Sequence, residues 1–108
     1  MGGKNENPRK GEVRLHQPTG QPICVVSADG HNFAPRTGMI MVAPIHATAG
    51  PAPVTVPLTQ SDPVAGFVHV DGMDQVEVDE LGEPIGMLVG ASVERVERAI
   101  TIFFDLPF

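Results

Sequence analysis

Short runs of β-branched and other apolar residues, each closed by proline or glycine, recur through much of the chain. Three of them lie at 23–28, 39–45 and 54–58. They have the length of strands and are shorter than ordinary helices. Eleven prolines and twelve glycines, against five aromatic residues, also favour short strands joined by turns. We therefore predict a mainly β fold.

The hydrophobic period changes near the end of the chain. Apolar residues recur there at helical spacing and form one stripe: Val93, Val96, Ile100 and Phe103. Ser92 precedes the stripe as a candidate N-cap. The sequence thus predicts one helix at about residues 92–104, packed on a small barrel or strongly curved antiparallel sheet of about five to seven strands.

The first ten residues differ from the rest. They have no hydrophobic period and almost no apolar side chains, which predicts a disordered tail at 1–10. The remainder, 11–108, has the length of a single domain, and 42% of all residues are apolar, enough for a core. No apolar run approaches the length of a membrane span and no leader precedes the domain, so we expect a cytoplasmic protein without membrane contact.

Charge is distributed unevenly along the chain. Lys4, Arg9 and Lys10 lie in the predicted tail, whereas residues 11–108 hold four arginines against twelve acidic residues. Such an acidic body lacks the basic patch with which proteins usually bind a phosphate backbone. This balance counts against extensive contact with nucleic acid.

The single cysteine, Cys24, stands between Ile23 and Val25. One cysteine excludes an internal disulfide and any metal cluster with several cysteine ligands. Its apolar neighbours predict a buried structural thiol rather than a nucleophile.

A series of motifs follows in order between Gly11 and Phe104: GEVRL, QPICVVS, MIMVAPI, PAPVTVPL, GFVHVD and LGEPIGML. In this order and spacing they resemble the MazF/PemK (Kid-like) toxins of bacterial toxin–antitoxin pairs, where the last motif is a turn before the helix. The resemblance implies an SH3-like antiparallel β-barrel of the CcdB/PemK/MazF type with a C-terminal helix. It also implies a homodimer, a cognate antitoxin as partner, and metal-independent cleavage of single-stranded RNA without a cofactor.

The departures from the family pattern fall on its chemistry. Gln21 stands where the family has a usual catalytic arginine, and the family's long first loop is shortened to QPTG. His46 replaces the hydroxyl residue that follows Ala-Pro-Ile, and His69 replaces the arginine of the Kid-like branch. Asp71 alone is unchanged, and an alternative register would match Asp74 in its place.

Metal-free cleavage of RNA needs a base for the 2′-hydroxyl, an acid for the departing 5′-oxygen, and positive charge near the phosphorus. Two histidines can meet these needs, one neutral and one protonated. The resemblance therefore implies a catalytic site of His46, His69 and Asp71, with Gln21 hydrogen-bonding a phosphate or base of the substrate. A zinc site of the same three catalytic residues lacks close ligand spacing, so we predict no metal.

Other interpretations stay open at this stage. If His46 merely ends a strand and His69 is an idle outward-facing residue, the chain is a catalytically inactive barrel that binds protein or nucleic acid. The gyrase-poisoning, CcdB-like branch depends on a Trp-Gly-Ile tail, which FFDLPF does not match. His16 and His31 are interpreted as surface residues. Two imidazoles within reach of one phosphate would favour the enzyme.

Overall fold

The computed structural model describes residues 8–27 and 38–105. In this part of the chain, seven antiparallel strands precede one helix: β1 (Glu12–His16), β2 (Gln21–Val25), β3 (Met39–His46), β4 (Thr55–Pro57), β5 (Phe67–His69), β6 (Asp74–Glu77), β7 (Leu81–Met87) and α1 (Gly90–Asp105). Two 3₁₀ turns, Val70–Gly72 and Val78–Glu80, follow β5 and β6. The predicted mainly β fold with one C-terminal helix is confirmed.

Strand β3 is the centre of the sheet. Its first half pairs with β6, its middle with β2, and its last two residues with β5. The sheet order is β4-β5-β3-β2-β1-β7, with β6 added on β3. Within the described residues, no ladder joins the two outer strands, β4 and β7. The predicted barrel is therefore a strongly curved sheet that backbone pairing does not close.

Side-chain alternation along β2 and β3 supplies apolar residues to both faces of the sheet. One cluster lies between the sheet and α1, and its buried members include Val13, Cys24, Ala43, Val68 and Val96. The second lies on the opposite face and contains Ile23, Val25, Ile40, Val42, Val76 and Leu81. The predicted helical stripe packs on the first cluster, with Val96 buried and Val93, Ile100 and Phe103 partly buried. Ala99, which the predicted stripe did not include, is also buried.

Cys24 is buried in the first cluster, as predicted. Burial raises the pKa of its thiol to about 12, because the low-dielectric core disfavours the thiolate. The side chain is therefore a packing residue without nucleophilic reactivity near neutral pH.

Several boundaries differ from the prediction. The motif LGEPIGML is not a turn: Leu81–Met87 forms β7, because it pairs with β1 from Glu12 to His16. Strand β2 begins at Gln21, two residues before the predicted start, and ends at Val25.

The two ends of the domain also differ in detail from the sequence pattern. Helix α1 begins at Gly90, so Ser92 lies inside it and its hydroxyl donates to Asp62 instead of capping the helix. In the predicted tail, Pro8 is buried and Lys10 forms an ion pair with Glu97. Residues 1–7 and most of the predicted loop at 29–38 lie outside the described residues.

A buried carboxylate, Asp62, ties the segment between β4 and β5 to the start of α1. It accepts hydrogen bonds from the backbone N–H of Thr59 at 2.8 Å and of Val89 at 2.9 Å. The Ser92 hydroxyl donates to it at 2.7 Å. Burial by itself raises the pKa of Asp62, but these hydrogen bonds outweigh burial and hold the pKa below its ordinary value.

The lowered pKa of Asp62 predicts how stability depends on pH. Its ionised form stabilises the fold above the unfolded-state value of about 3.8, and this contribution disappears as the pH falls through the lower folded-state pKa. We expect Asp62→Asn to lower the free energy of unfolding at pH 7 by about 1–3 kcal/mol and to flatten its dependence on acid. Urea unfolding between pH 2 and 7 measures both. The exposed control, Asp79→Asn, should behave like the parent, and an unchanged acid dependence in Asp62→Asn would refute the assignment.

Candidate active site

Three polar side chains, His16, Gln21 and His46, lie on the face of the sheet opposite α1. His16 is paired with Gln21 across β1 and β2. Strand β2 pairs in turn with β3, where Ile23 lies opposite Pro44. The Gln21 Nε2 also donates a hydrogen bond to the Ile45 carbonyl oxygen of β3. All three side chains alternate with core residues of the first cluster, which directs them to the other face.

The predicted pair, His46 and His69, is in contact. His46 ends β3 and His69 ends β5, and the register of the two strands sets Ile45 opposite Val68. This register leaves the two imidazoles as diagonal neighbours on one face. Their ring centroids are 4.8 Å apart and the rings are nearly perpendicular, at 81°. Both rings are therefore within reach of a single phosphate group.

The tautomer of His69 is fixed by its surroundings. Its Nε2 lies 2.9 Å from the Thr48 carbonyl oxygen. A carbonyl oxygen only accepts, so Nε2 carries the proton and the neutral ring has its lone pair on Nδ1. Nδ1 lies 4.0 Å from the Asp71 Oδ1, beyond hydrogen-bond distance. The nitrogen that exchanges its proton thus faces a carboxylate without being bonded to it.

The His46 ring differs from the His69 ring in its exposure and its hydrogen bonding. Its side chain is exposed, and its ring makes no hydrogen bond to any residue in 8–27 or 38–105. The His69 ring, in contrast, is only 16% exposed. The site therefore combines one imidazole that is held in place with one that can turn toward a ligand.

A groove of about 270 Å³ lies on the same face of the sheet, and its lining residues do not include His46, His69 or Asp71. Its walls come from β1, β2, β3 and β6, with the turn after β5, and are lined by His16, Thr19, Gln21, Ile23, Val42, Pro44, Gly72, Asp74 and Val76. The 3₁₀ turn that carries Asp71 packs closely against Pro44, because a Cβ on Gly72 would lie 3.1 Å from the Pro44 Cγ. Both candidates for the family aspartate are placed at this site, Asp71 beside His69 and Asp74 on the groove wall.

His16 is not the simple surface residue that the sequence suggested. Its Nε2 lies 2.9 Å from the Glu80 Oε1 and its Nδ1 lies 3.0 Å from the Thr19 Oγ1, and the ring lines the groove. Alternation in GEVRLH placed His16 on the correct face, but Glu80 is 64 residues away in sequence. Only the pairing of β1 with β7 brings them together. His31 lies outside the described residues.

Two further observations concern metals and membranes. Among residues 8–27 and 38–105, no three His, Cys, Asp or Glu side chains are grouped so that they could hold a metal ion. In the same residues, no helix combines the length and the apolar character that crossing a membrane requires.

The chain matches a known family over most of its length. The family described as PemK-like, MazF-like toxin of type II toxin-antitoxin system matches residues 6–104. The chain belongs to this family. Endoribonuclease MazF1 of Mycobacterium bovis is 26% identical over 88 residues, which is 82% of each chain.

Solved structures agree with this assignment. An endoribonuclease from a mycobacterial species has a TM-score of 0.84 at 25% identity and covers 95% of this chain and 96% of its own. A second, an endoribonuclease in complex with its cognate antitoxin, has a TM-score of 0.81 at 27% identity and covers 94% and 98%. The resemblance seen in the sequence motifs is thereby confirmed.

The position of Gly50 provides a test of the site geometry. A Cβ there would lie 2.9 Å from the His69 Cε1 and 2.8 Å from the Thr55 Oγ1, too close for either to stay in place. We expect Gly50→Ala to displace the His69 ring and to weaken its hydrogen bond to Thr48. Nitrogen NMR of the imidazoles should then show loss of the fixed Nε2–H tautomer.

The matched control for this test is Gly90→Ala, because within the described residues no atom beyond its chain neighbours and the adjacent helix backbone lies within 4 Å of a Cβ at Gly90. It should leave the imidazole spectrum unchanged. A Gly50→Ala spectrum identical to that of the parent would mean that Gly50 does not hold His69.

Proposed function

We propose that this chain is a toxin that cleaves single-stranded RNA without a metal, using His46, His69 and Asp71. The observation that carries the proposal is the contact between two imidazoles, whose ring centroids lie 4.8 Å apart. Relatives that are named endoribonucleases, at 25–27% identity, support the reaction class. With this activity the protein would act on RNA in the cytoplasm.

The reaction follows from the protonation states that the two rings can take. His46, exposed and neutral, removes the proton of a ribose 2′-hydroxyl. The 2′-oxygen then forms a bond to phosphorus while the bond from phosphorus to the 5′-oxygen breaks. His69, protonated on both nitrogens, gives its Nδ1 proton to that 5′-oxygen. The products are a 2′,3′-cyclic phosphate and a 5′-hydroxyl.

Asp71 acts on His69 rather than on the substrate. Its carboxylate, 4.0 Å from Nδ1, attracts the protonated ring without forming a hydrogen bond to it. The Nδ1 proton therefore stays available to a substrate oxygen. The positive ring also stabilises the charge that develops on the phosphorane, in place of the arginine that the family usually supplies.

Gln21 binds the substrate through its oxygen. Its Nε2 donates to the backbone carbonyl oxygens of Ile45 and Pro22, so both of its N–H donors are in use. The amide oxygen is left to accept a hydrogen bond. This arrangement suits the amino group of a base or a ribose hydroxyl and does not suit a phosphate, which only accepts.

We further propose that the chain forms a homodimer and binds a cognate antitoxin. One similar mycobacterial endoribonuclease has been solved in complex with its own cognate antitoxin. Among residues 8–27 and 38–105, four large apolar side chains are exposed: Leu15, Ile85, Met87 and Phe104. Three of them lie on β1 and β7, at one edge of the sheet. Surface of this kind is usually covered by a partner.

A second candidate function is a binding module without catalysis. The observation in its favour is Gln21, whose tied amide group cannot supply the permanent positive charge of the family arginine. In that case the groove would bind RNA or protein and release it unchanged. The rate of RNA cleavage separates the two candidates.

Catalysis by the histidine pair predicts a bell-shaped dependence of rate on pH, with limbs in the range where histidines change charge. His46→Ala and His69→Ala should each lower the rate by about 10²–10⁴-fold, typical for removal of a general acid or base. Cleavage of a long single-stranded RNA, with and without chelator, measures these rates, and chelator should have no effect.

The matched controls are two aspartates. Asp71→Asn should move the basic limb, which reports loss of the acid's proton, to lower pH, whereas Asp79→Asn, exposed in the turn after β6, should leave the profile unchanged. A parent protein that cuts no RNA would favour the binding module. A His46→Ala variant as fast as the parent would remove His46 from the mechanism.

The proposed dimer predicts a light-scattering mass of two chains at micromolar concentration. Met87→Glu sets a charge into the exposed apolar edge of β7 and should shift the mass toward one chain. Glu83→Gln, an exposed change on the same strand, should keep the parent mass. A parent mass of one chain would contradict the dimer.

A further inference from the structure

The groove of about 270 Å³ on the face opposite α1 is connected to the imidazole pair by strand β3. Val42 and Pro44 line the groove, and His46 follows them at the same alternation, so the three side chains lie on one face of the strand. Gln21, on another wall, donates to the Ile45 carbonyl oxygen, next to His46 in the chain. An RNA strand bound at the imidazoles therefore has this groove as a neighbouring surface for one of its bases.

The hydrogen-bond donors of the groove are already used within the protein. The Gln21 Nε2 donates to two backbone carbonyl oxygens. The Thr19 Oγ1 lies 3.0 Å from the His16 Nδ1 and 3.4 Å from the His16 carbonyl oxygen, so the hydroxyl proton is directed to His16. The His16 Nε2 lies 2.9 Å from the Glu80 Oε1, and a carboxylate only accepts. Both ring nitrogens of His16 are therefore engaged.

The groups that remain for a ligand are acceptors. The Gln21 Oε1 accepts no hydrogen bond from residues 8–27 or 38–105. Asp74, exposed at the start of β6, lines the groove, and its Oδ1 accepts from the Gln75 N–H at 2.8 Å while its Oδ2 accepts from none of the described residues. The described lining includes no lysine or arginine. A carboxylate without a neighbouring cation repels a phosphate and favours a neutral group with N–H donors.

Guanine matches these acceptors better than the other bases do. Its Watson–Crick edge carries two adjacent donors, N1–H and the N2 amino group, which the two oxygens of one carboxylate can accept together. Adenine and cytosine present a ring acceptor beside their amino group, and uracil has its N–H between two carbonyl groups. Each of these edges would set an acceptor against Asp74. Aliphatic side chains suit the flat faces of a base, and the groove is lined by four apolar residues: Ile23, Val42, Pro44 and Val76.

We propose that this groove binds a guanine next to the scissile phosphate, with the Asp74 carboxylate on N1–H and the N2 amino group and the Gln21 Oε1 as a further acceptor. Asp74 is thereby a residue that determines specificity, whereas Asp71 acts beside His69. The inference rests on the proposed function, because it starts from an RNA strand bound at the imidazole pair.

Fluorescence anisotropy with short labelled RNAs tests the proposal. All riboses of the probes are 2′-O-methylated, so no 2′-hydroxyl can attack and binding is measured without catalysis. The probe UUGUU is compared with UUIUU, in which inosine lacks only the N2 amino group of guanine. The parent should bind UUGUU about tenfold more tightly, because UUIUU loses a hydrogen bond to a charged acceptor. Asp74→Asn should weaken the binding of UUGUU about tenfold and remove most of this preference.

The matched control is Glu77→Gln, which removes one negative charge from the same strand. Glu77 is exposed, stands out of phase with the groove-lining Asp74 and Val76, and is not itself among the lining residues. The variant should keep the parental preference for UUGUU. It separates recognition by Asp74 from the general effect of charge on affinity for RNA.

Three results would overturn the proposal. Equal binding of UUGUU and UUIUU to the parent excludes guanine recognition and depends on no variant. An Asp74→Asn protein with the parental melting temperature and the parental preference removes Asp74 from recognition. Binding of agmatine, a small guanidinium compound, that Asp74→Asn abolishes while the parent shows no preference for guanine makes the groove a site for a basic side chain.

Failure of the proposed function gives a different pattern of results. A parent that cuts no RNA but prefers UUGUU contradicts the cleavage and supports the guanine groove. A parent that cuts unmodified RNA equally fast at sites with and without an adjacent guanine supports the cleavage and overturns the guanine groove.

Discussion

The arrangement of the site depends on one strand that pairs with three others. Strand β3 has eight residues. Its first half pairs with β6, its last two residues pair with β5, and its middle pairs with β2. The register of every pair is strongly specified, because a slip by one residue would move each buried side chain to the other face of the sheet. The register of β3 places the side chain of its last residue, His46, on the face of the sheet opposite α1. Its contact with His69 has the same cause.

The sequence could predict much of this arrangement because the strands are patterned. Alternation in GEVRLH and the apolar run before His46 identify strands and their faces, and the period change near residue 92 identifies the helix. The motif order suggested that His46 and His69 belong to one site, and the contact between their rings agrees with that suggestion. Their catalytic role is a proposal that the cleavage experiments test.

The features that the sequence could not predict depend on contacts between distant residues. Glu80 reaches His16 only through the pairing of β1 with β7. Thr48 fixes the His69 tautomer through a backbone carbonyl oxygen, a group that side-chain patterns do not identify. The motif LGEPIGML contains two glycines and a proline, so it resembled a turn, yet pairing with β1 makes it a strand. Asp62 joins a loop to a helix 30 residues away.

An imidazole and an arginine offer different chemistry to a phosphate group. An arginine stays charged across the physiological range, whereas an imidazole can be neutral or charged and can move a proton. The Gln21 amide group donates to backbone carbonyl oxygens, and in the proposed mechanism the positive charge toward the substrate comes from His69. A rate that depends on the two imidazoles should therefore depend on pH.

The ends of the RNA fragments test the central claim most directly, because they record which atom attacked the phosphorus. Mass spectrometry of fragments from the parent protein should find 2′,3′-cyclic phosphate and 5′-hydroxyl ends. An RNA with a single 2′-deoxyribose on the 5′ side of the cut should resist cleavage at that position. Fragments with 5′-phosphate and 3′-hydroxyl ends, or cleavage of the deoxy-substituted RNA, would contradict attack by the 2′-oxygen and with it the roles of both imidazoles.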